Sequence, residues 1–112
     1  MSNPSSATSS EQAIGFVQFK VEAEDRDRFL AAAREVMEAT RSELGCVVYR
    51  YGADILDPNI FYITEIWESV EALDAHTRTA HYAKAMSVIP QAARIGPIMM
   101  WTGALTSVPV EI

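Results

Sequence analysis

The chemistry available to this sequence rests first on two histidines, His76 and His81, the only ones in 112 residues. Histidine ordinarily titrates near neutral pH, which suits it to take a proton from a substrate and return it. His76 stands four residues after Ala72 and three after Leu73, so on a helix it shares their inward face. His81 follows beside Tyr82, at the start of the next helical stretch. Both are read as candidate catalytic residues. Each also has a structural reading: His76 as a hydrogen-bonded core residue, His81 as a polar group near a helix N-terminus. Two histidines five residues apart across a helix break, with no carboxylate motif beside them, make a weak metal signal. No metal is expected.

Other residues could shape a site around this pair. Glu65 and Trp67 alternate with Phe61 and Ile63, which places all four on one face of a strand. A carboxylate among such neighbours is costly to bury unless paired, so Glu65 either holds Arg50 across a hairpin or orients a histidine. Trp67 reads as a cavity wall or core residue. Tyr49, Tyr51 and Tyr62 offer phenolic donors, and Met86, Met99, Met100 and Trp101 suit a cavity lining or a subunit contact. Glu65, Trp67, Tyr82, Tyr49, Met86 and Trp101 are the candidate substrate-binding residues.

The elements that must position these groups follow from hydrophobic period. Ile14 to Val21 alternates, with Val17, Phe19 and Val21 on one face and Phe16, Gln18 and Lys20 on the other. Phe29, Leu30, Ala33, Val36, Met37, Thr40 and Leu44 then recur at helical spacing, a long amphipathic helix opened by acidic residues and stopped at Gly45. A strand from Cys46 ends near Asp54, Asp57-Pro58-Asn59 turns the chain, and Ile60 to Trp67 pairs back as a hairpin. Ser69 caps a short helix bearing Leu73 and His76. Thr79 caps another, with Tyr82, Ala85, Met86 and Ile89 as its apolar stripe and Pro90 as its end. Gly96-Pro97 introduces a last strand, Ile98 to Leu105.

The fold class is therefore α+β, a ferredoxin-like β-α-β-β-α-β order with an antiparallel sheet. Residues 14–107 form the domain, with a disordered tail over 1–13, rich in Ser, Thr and Asn, and a short C-terminal tail over 108–112. Helices can cover only one face of such a sheet, while the first and last strands are apolar on both. A second copy of the chain would cover the other face, so a homodimer is expected.

Composition narrows the partners. A net charge of −6 argues against nucleic acid and anionic membranes, which would repel the chain. No apolar run nears the roughly 20 residues of a membrane span. The single Cys46 cannot form an intramolecular disulfide, and the first residues lack the basic and apolar stretches of a secretory signal. A cytoplasmic protein is expected. Gly-rich phosphate loops, nucleophile elbows and CxxCH haem attachment are missing from the sequence.

The run Phe61 to Tyr82 resembles the signature segment of the antibiotic biosynthesis monooxygenase family. It has Glu65-x-Trp67 at a strand end, Ala72-Leu73 on the next helix, then His76, and His81 followed by an aromatic residue. Upstream, Phe29 matches the family's helix-opening Phe, and Glu43-Leu-Gly45-Cys-Val-Val-Tyr49 resembles its Glu-x-Gly-x-x-x-Tyr element. The likeness runs from about Ile14 to Leu105. It implies a dimeric α+β barrel and a monooxygenase of quinols, anthrones or phenols that uses dioxygen and no cofactor. It equally admits an isomerase of a small carbonyl or phosphorylated sugar-like compound, for which Arg78, Lys84 and Arg94 are the nearby cations. A non-catalytic binding dimer is a third reading. Haem-degrading members carry His, Trp and Asn where this sequence has Met86, His76 and Val17, so haem is not expected.

Overall fold

Alternation in the first strand is realised on the faces the sequence suggests, and the strand begins two residues earlier, at Gln12. The computed structural model describes residues 11–89, 95–96, 99–104 and 110. Strand β1 runs Gln12–Lys20, and Ala13, read as the end of the tail, is fully buried opposite Trp67. A 3-10 turn, Ala23–Asp25, leads into helix α1, Arg26–Thr40. Strands β2, Cys46–Ala53, and β3, Ile60–Trp67, make the hairpin. Helices α2, Val70–His76, and α3, Ala80–Val88, precede strand β4, Met99–Gly103. The second helical segment of the expected order is thus two short helices. The sheet order is β2-β3-β1-β4, with every pairing antiparallel.

One face of the sheet carries the core. Phe19, Phe61, Ile63, Glu65, Trp67 and Tyr49 turn towards the helices and are buried. Phe29 of α1 packs its ring 4.6 Å from Phe61 and 5.2 Å from Phe19, anchoring the helix on the sheet. Ala33, Val36 and Thr40 continue the buried stripe. A Lys84–Glu35 ion pair of 2.7 Å links α3 to α1. The hairpin turn is organised by Asp54, whose carboxylate accepts from the Leu56 and Asp57 amides and from the Tyr62 hydroxyl.

The other face is open. Register places Ile14 opposite Trp101, Phe16 opposite Met99 and Thr64, and Gln18 opposite Tyr62, so their side chains share this side. Phe16 stacks on Tyr62 at 5.8 Å, while Met99 and Trp101 are 42% and 50% exposed.

Two expectations are corrected here. Helix α1 ends at Thr40, not at Gly45, and Leu44 is 94% exposed instead of joining the apolar stripe. The reason lies in the turn that follows. Gly45 takes φ +86°, a conformation side chains resist, and a Cβ there would lie 2.6 Å from that of Ala72. Its carbonyl accepts from the Glu68 amide at 2.8 Å. This close docking throws Leu44 outwards. The second correction concerns Glu65, which cannot meet Arg50. Arg50 pairs in register with Thr64 on the open face, while Glu65 faces the helices. The expected helix end at Pro90, the bend at Pro97, the strand residues Ile98 and Leu105, and the cation Arg94 lie outside the described residues. So do residues 1–10 of the tail and the C-terminal segment apart from exposed Val110.

Candidate active site

The site is assembled from four elements that meet where the end of α1, the end of β3 and the two short helices converge. Ser69 caps α2 by accepting from the Ala72 amide at 3.1 Å, and Thr79 caps α3 by accepting from the Tyr82 amide at 3.2 Å. These caps set where each helix begins and hence which side chains point inwards. His76 closes α2 and is 1% exposed; His81 stands in the first turn of α3 and is half-buried.

Between the two rings lies a group whose one sign in the sequence is its place in a family motif. The Glu43 carboxylate, carried by the turn after α1, is 2.7 Å from His76 Nδ1 and 2.6 Å from His81 Nε2, both through Oε2. It comes from 33 and 38 residues away, so local spacing gave no sign of it. The Glu-x-Gly-x-x-x-Tyr element was the one available signal. Its glycine is Gly45, whose turn aims Glu43 inwards, and its tyrosine is Tyr49, which lies over His76.

Aromatic rings wall the buried histidine. Trp67 lies 4.8 Å from the His76 ring, Tyr82 5.1 Å and Tyr49 5.3 Å. The Trp67 indole donates to Glu65 Oε1 at 2.7 Å, which satisfies a carboxylate that burial would otherwise penalise. Glu65 therefore orients the tryptophan, not a histidine. Gly15 makes room for it: a Cβ at that position would stand 2.8 Å from Glu65 Cγ.

Strand β2 contributes through an irregularity. A bulge between Cys46 and Val48 shifts the register, so Cys46 lies opposite Trp67 and Tyr49 opposite Glu65, both on the helix side although three residues apart. In unbroken alternation two residues three apart would face opposite sides. Burial pushes the Tyr49 hydroxyl far above its ordinary range, with the neighbouring Tyr51 adding to the effect. Burial likewise raises Tyr51 to about 12. The two hydroxyls lie 3.4 Å apart and stay protonated near neutrality. Burial, then the charges of Glu43 and Glu65, also raise the Cys46 thiol.

The structure thus brings together His76, His81, Tyr82, Trp67 and Tyr49, with Glu65 behind the tryptophan. It does not bring Met86 or Trp101 to them. Met86 is 38% exposed on α3, and Trp101 lies on the open face of the sheet. A cleft of about 320 Å³, lined by Arg41, Cys46, Val47, Val48, Tyr49 and Arg50, borders the site and shares Tyr49 with it. Of the cations considered for a phosphorylated ligand, Arg78 is paired with Asp74 and Lys84 with Glu35.

Residues 14–88 match the family described as antibiotic biosynthesis monooxygenase. The chain belongs to this family. An uncharacterized Synechocystis protein is 31% identical over 71 residues, a match spanning 63% of this chain and 48% of that protein. YcnE of Bacillus subtilis, provisionally named a monooxygenase, is 32% identical over 63 residues, 56% of this chain and 66% of its own. The chain therefore spans just under half of one of these curated relatives and about two-thirds of the other. A crystal structure from Deinococcus radiodurans, provisionally assigned to antibiotic biosynthesis monooxygenases, superposes with a TM-score of 0.77. It shares 22% identity and covers 88% of this chain and 98% of its own. That likeness fixes the fold: a four-stranded antiparallel sheet with its helices on one side, as in other antibiotic biosynthesis monooxygenases. Among the described residues no helix is long and apolar enough to cross a membrane.

Proposed function

We propose that the chain is a cofactor-independent monooxygenase that oxidises a small phenol, quinol or anthrone with dioxygen. The observation that carries this reading is the Glu43 carboxylate held between His76 and His81. A carboxylate on Nδ1 fixes the tautomer of His76 with its proton there, leaving Nε2 to accept a proton from substrate. It also gives the positive charge formed on the ring a partner at 2.7 Å. His81, on the accessible side, donates Nε2–H to the same carboxylate oxygen and steadies it against His76.

The remaining chemistry belongs to the substrate. For an anthrone, loss of a proton from the ring methylene leaves a carbanion that reduces dioxygen and forms a carbon–oxygen bond. The resulting peroxide anion takes the proton back from the histidine and becomes the hydroperoxide. Loss of the second methylene proton with cleavage of the O–O bond then gives the ketone and one water. The protein supplies orientation, exclusion of water and proton control. Tyr49, Trp67 and Tyr82 cover His76 in the free chain, so substrate has to part this cover. Half-buried Tyr82, at the start of α3, is the piece with room to move.

A homodimer completes the proposal. The apolar open face, with Ile14, Phe16, Tyr62, Met99 and Trp101, would pack on its copy in a second chain, and a single-chain sedimentation mass at micromolar concentration would overturn this. A cytoplasmic location accords with the sequence. The same His–Glu–His arrangement could serve an isomerase; Arg78 and Lys84 are exposed and paired with carboxylates, while Arg41 lines the cleft beside the site.

The deciding experiment is dioxygen uptake by chelator-treated protein with a panel of quinols, anthrones and phenols, run beside His76→Gln. Uptake that survives chelation and falls at least about 100-fold in the variant is expected. Equal uptake by the two proteins would remove His76 from the mechanism, and proton exchange of substrate without oxygen consumption would favour the isomerase.

A further inference from the structure

We propose that Glu43, His76 and His81 also form a binding site for one divalent first-row transition ion, with zinc as its type, and that the ion and the proton-transfer role exclude each other. The sequence pattern lacked a carboxylate beside the histidines; the fold supplies one. Glu43 Oε2, His76 Nδ1 and His81 Nε2 all lie within 4.8 Å of one another. Two imidazole nitrogens with one carboxylate oxygen is a donor set that suits zinc, and three protein ligands leave a fourth position for water.

The adjustment required is on the order of an ångström. Both nitrogens now share one carboxylate oxygen, at 2.7 and 2.6 Å. Ligands bonded to a tetrahedral ion at about 2.0–2.2 Å stand roughly 3.3 Å apart, so each nitrogen–oxygen contact must open by about 0.6 Å and the two nitrogens, within 4.8 Å of each other, must close by up to about 1.5 Å. His76 is held by its aromatic wall, but Glu43 rides on a turn and His81 on the first turn of a short helix. Both are partly accessible, with side chains 14% and 23% exposed, which gives an ion its entry. No lysine or arginine bonds to any of the three among the described residues, and the net charge of −6 favours a cation.

Exclusion follows from the ring nitrogens used. An ion bonded to His76 Nδ1 moves the ring proton to Nε2. That nitrogen then donates and can no longer accept a proton from substrate. The inhibitory half of the proposal rests on His76 acting as the base; the binding half does not.

The test uses the full chain stripped by a chelator and titrated with zinc alone, then with cobalt(II) alone as a spectroscopic substitute. One ion per chain is expected, with the intense visible absorption of four-coordinate cobalt. E43Q and H81A should each weaken binding at least about tenfold, whereas E35Q, at the surface pair with Lys84, should leave it unchanged. Both informative variants lie at accessible positions, and circular dichroism verifies their folding. Binding equally tight in wild type, E43Q and H81A would overturn the site. One equivalent of zinc should also abolish oxygen uptake. Site-dependent binding that leaves uptake intact would overturn the exclusion. Uptake that appears only with zinc would overturn the cofactor-free reading while leaving the ion site standing.

Discussion

Replacing Trp67 by phenylalanine separates two contributions that the structure couples. Trp67 is fully buried and its indole is the donor to Glu65, itself 9% exposed. The shorter ring leaves a cavity worth about 1 kcal/mol. Loss of the N–H leaves a buried carboxylate oxygen without its donor, costing a further 1–3 kcal/mol or so. The sum, about 2–4 kcal/mol, corresponds to a fall in Tm of roughly 10–20 °C for a domain of this size. Glu65→Met, close to isosteric, removes the acceptor. In the W67F/E65M double variant no charge remains to be orphaned, so about 1–3 kcal/mol of the single-variant loss should return. Urea denaturation of the four proteins, with their m-values compared, gives this coupling energy directly. If the double variant is destabilised by the plain sum of the two single variants, the indole–carboxylate bond does not hold Glu65 in place and the reasoning fails.

Three further outcomes are expected. Tyr49 and Tyr51 are raised above the ordinary tyrosine value by burial, so unfolded chains lose these protons first as pH rises. Their contribution to stability is complete below about pH 10 and declines above it by up to about 1.4 kcal/mol per pH unit per tyrosine. Denaturation midpoints at pH 9 and 11, with absorbance titration of the phenols, check this; unchanged midpoints would contradict it. Gly45→Ala forces a side chain into φ +86° and against Ala72, and should cost about 1–3 kcal/mol by thermal melting. Because that turn carries Glu43, the variant should also weaken zinc binding. Gly15→Ala would set a Cβ 2.8 Å from Glu65 Cγ and 2.9 Å from Met100 Cε. A loss of about 1–3 kcal/mol is expected there, and a melting curve matching wild type would mean that Glu65 has slack to move.

The sequence was readable where a single element decides the outcome. Period-2 alternation placed Glu65 and Trp67 on one inward face, helical spacing buried His76, and Ser69 and Thr79 cap as their residue types suggest. It was less readable where tertiary contact overrides local pattern. Leu44 continues the apolar spacing of α1, yet the docking of Gly45 on Ala72 ends the helix four residues sooner. The Glu43 partnership depends on residues over thirty positions apart, which no local period encodes. Trp101 and Met86 have the right chemistry for a pocket wall but the wrong direction, set by pairing register and by helix phase.

The bulge at Val47 makes chain length near it matter more than residue type. Deleting Val47 would restore unbroken alternation with Cys46 and Tyr49 two residues apart, still opposite Trp67 and Glu65 on the helix side, and with the Glu43 turn in place. A further residue there, unless taken up by a wider bulge, would instead push the Glu43 turn along the strand by about 3.4 Å, and the carboxylate would miss both histidines. An insertion in the Asp54–Asn59 hairpin would leave their meeting point untouched. Relatives one residue shorter between the glycine and tyrosine of the Glu-x-Gly-x-x-x-Tyr element should therefore keep the arrangement through a regular strand, whereas those one residue longer should lose it. Those that differ at the hairpin should not.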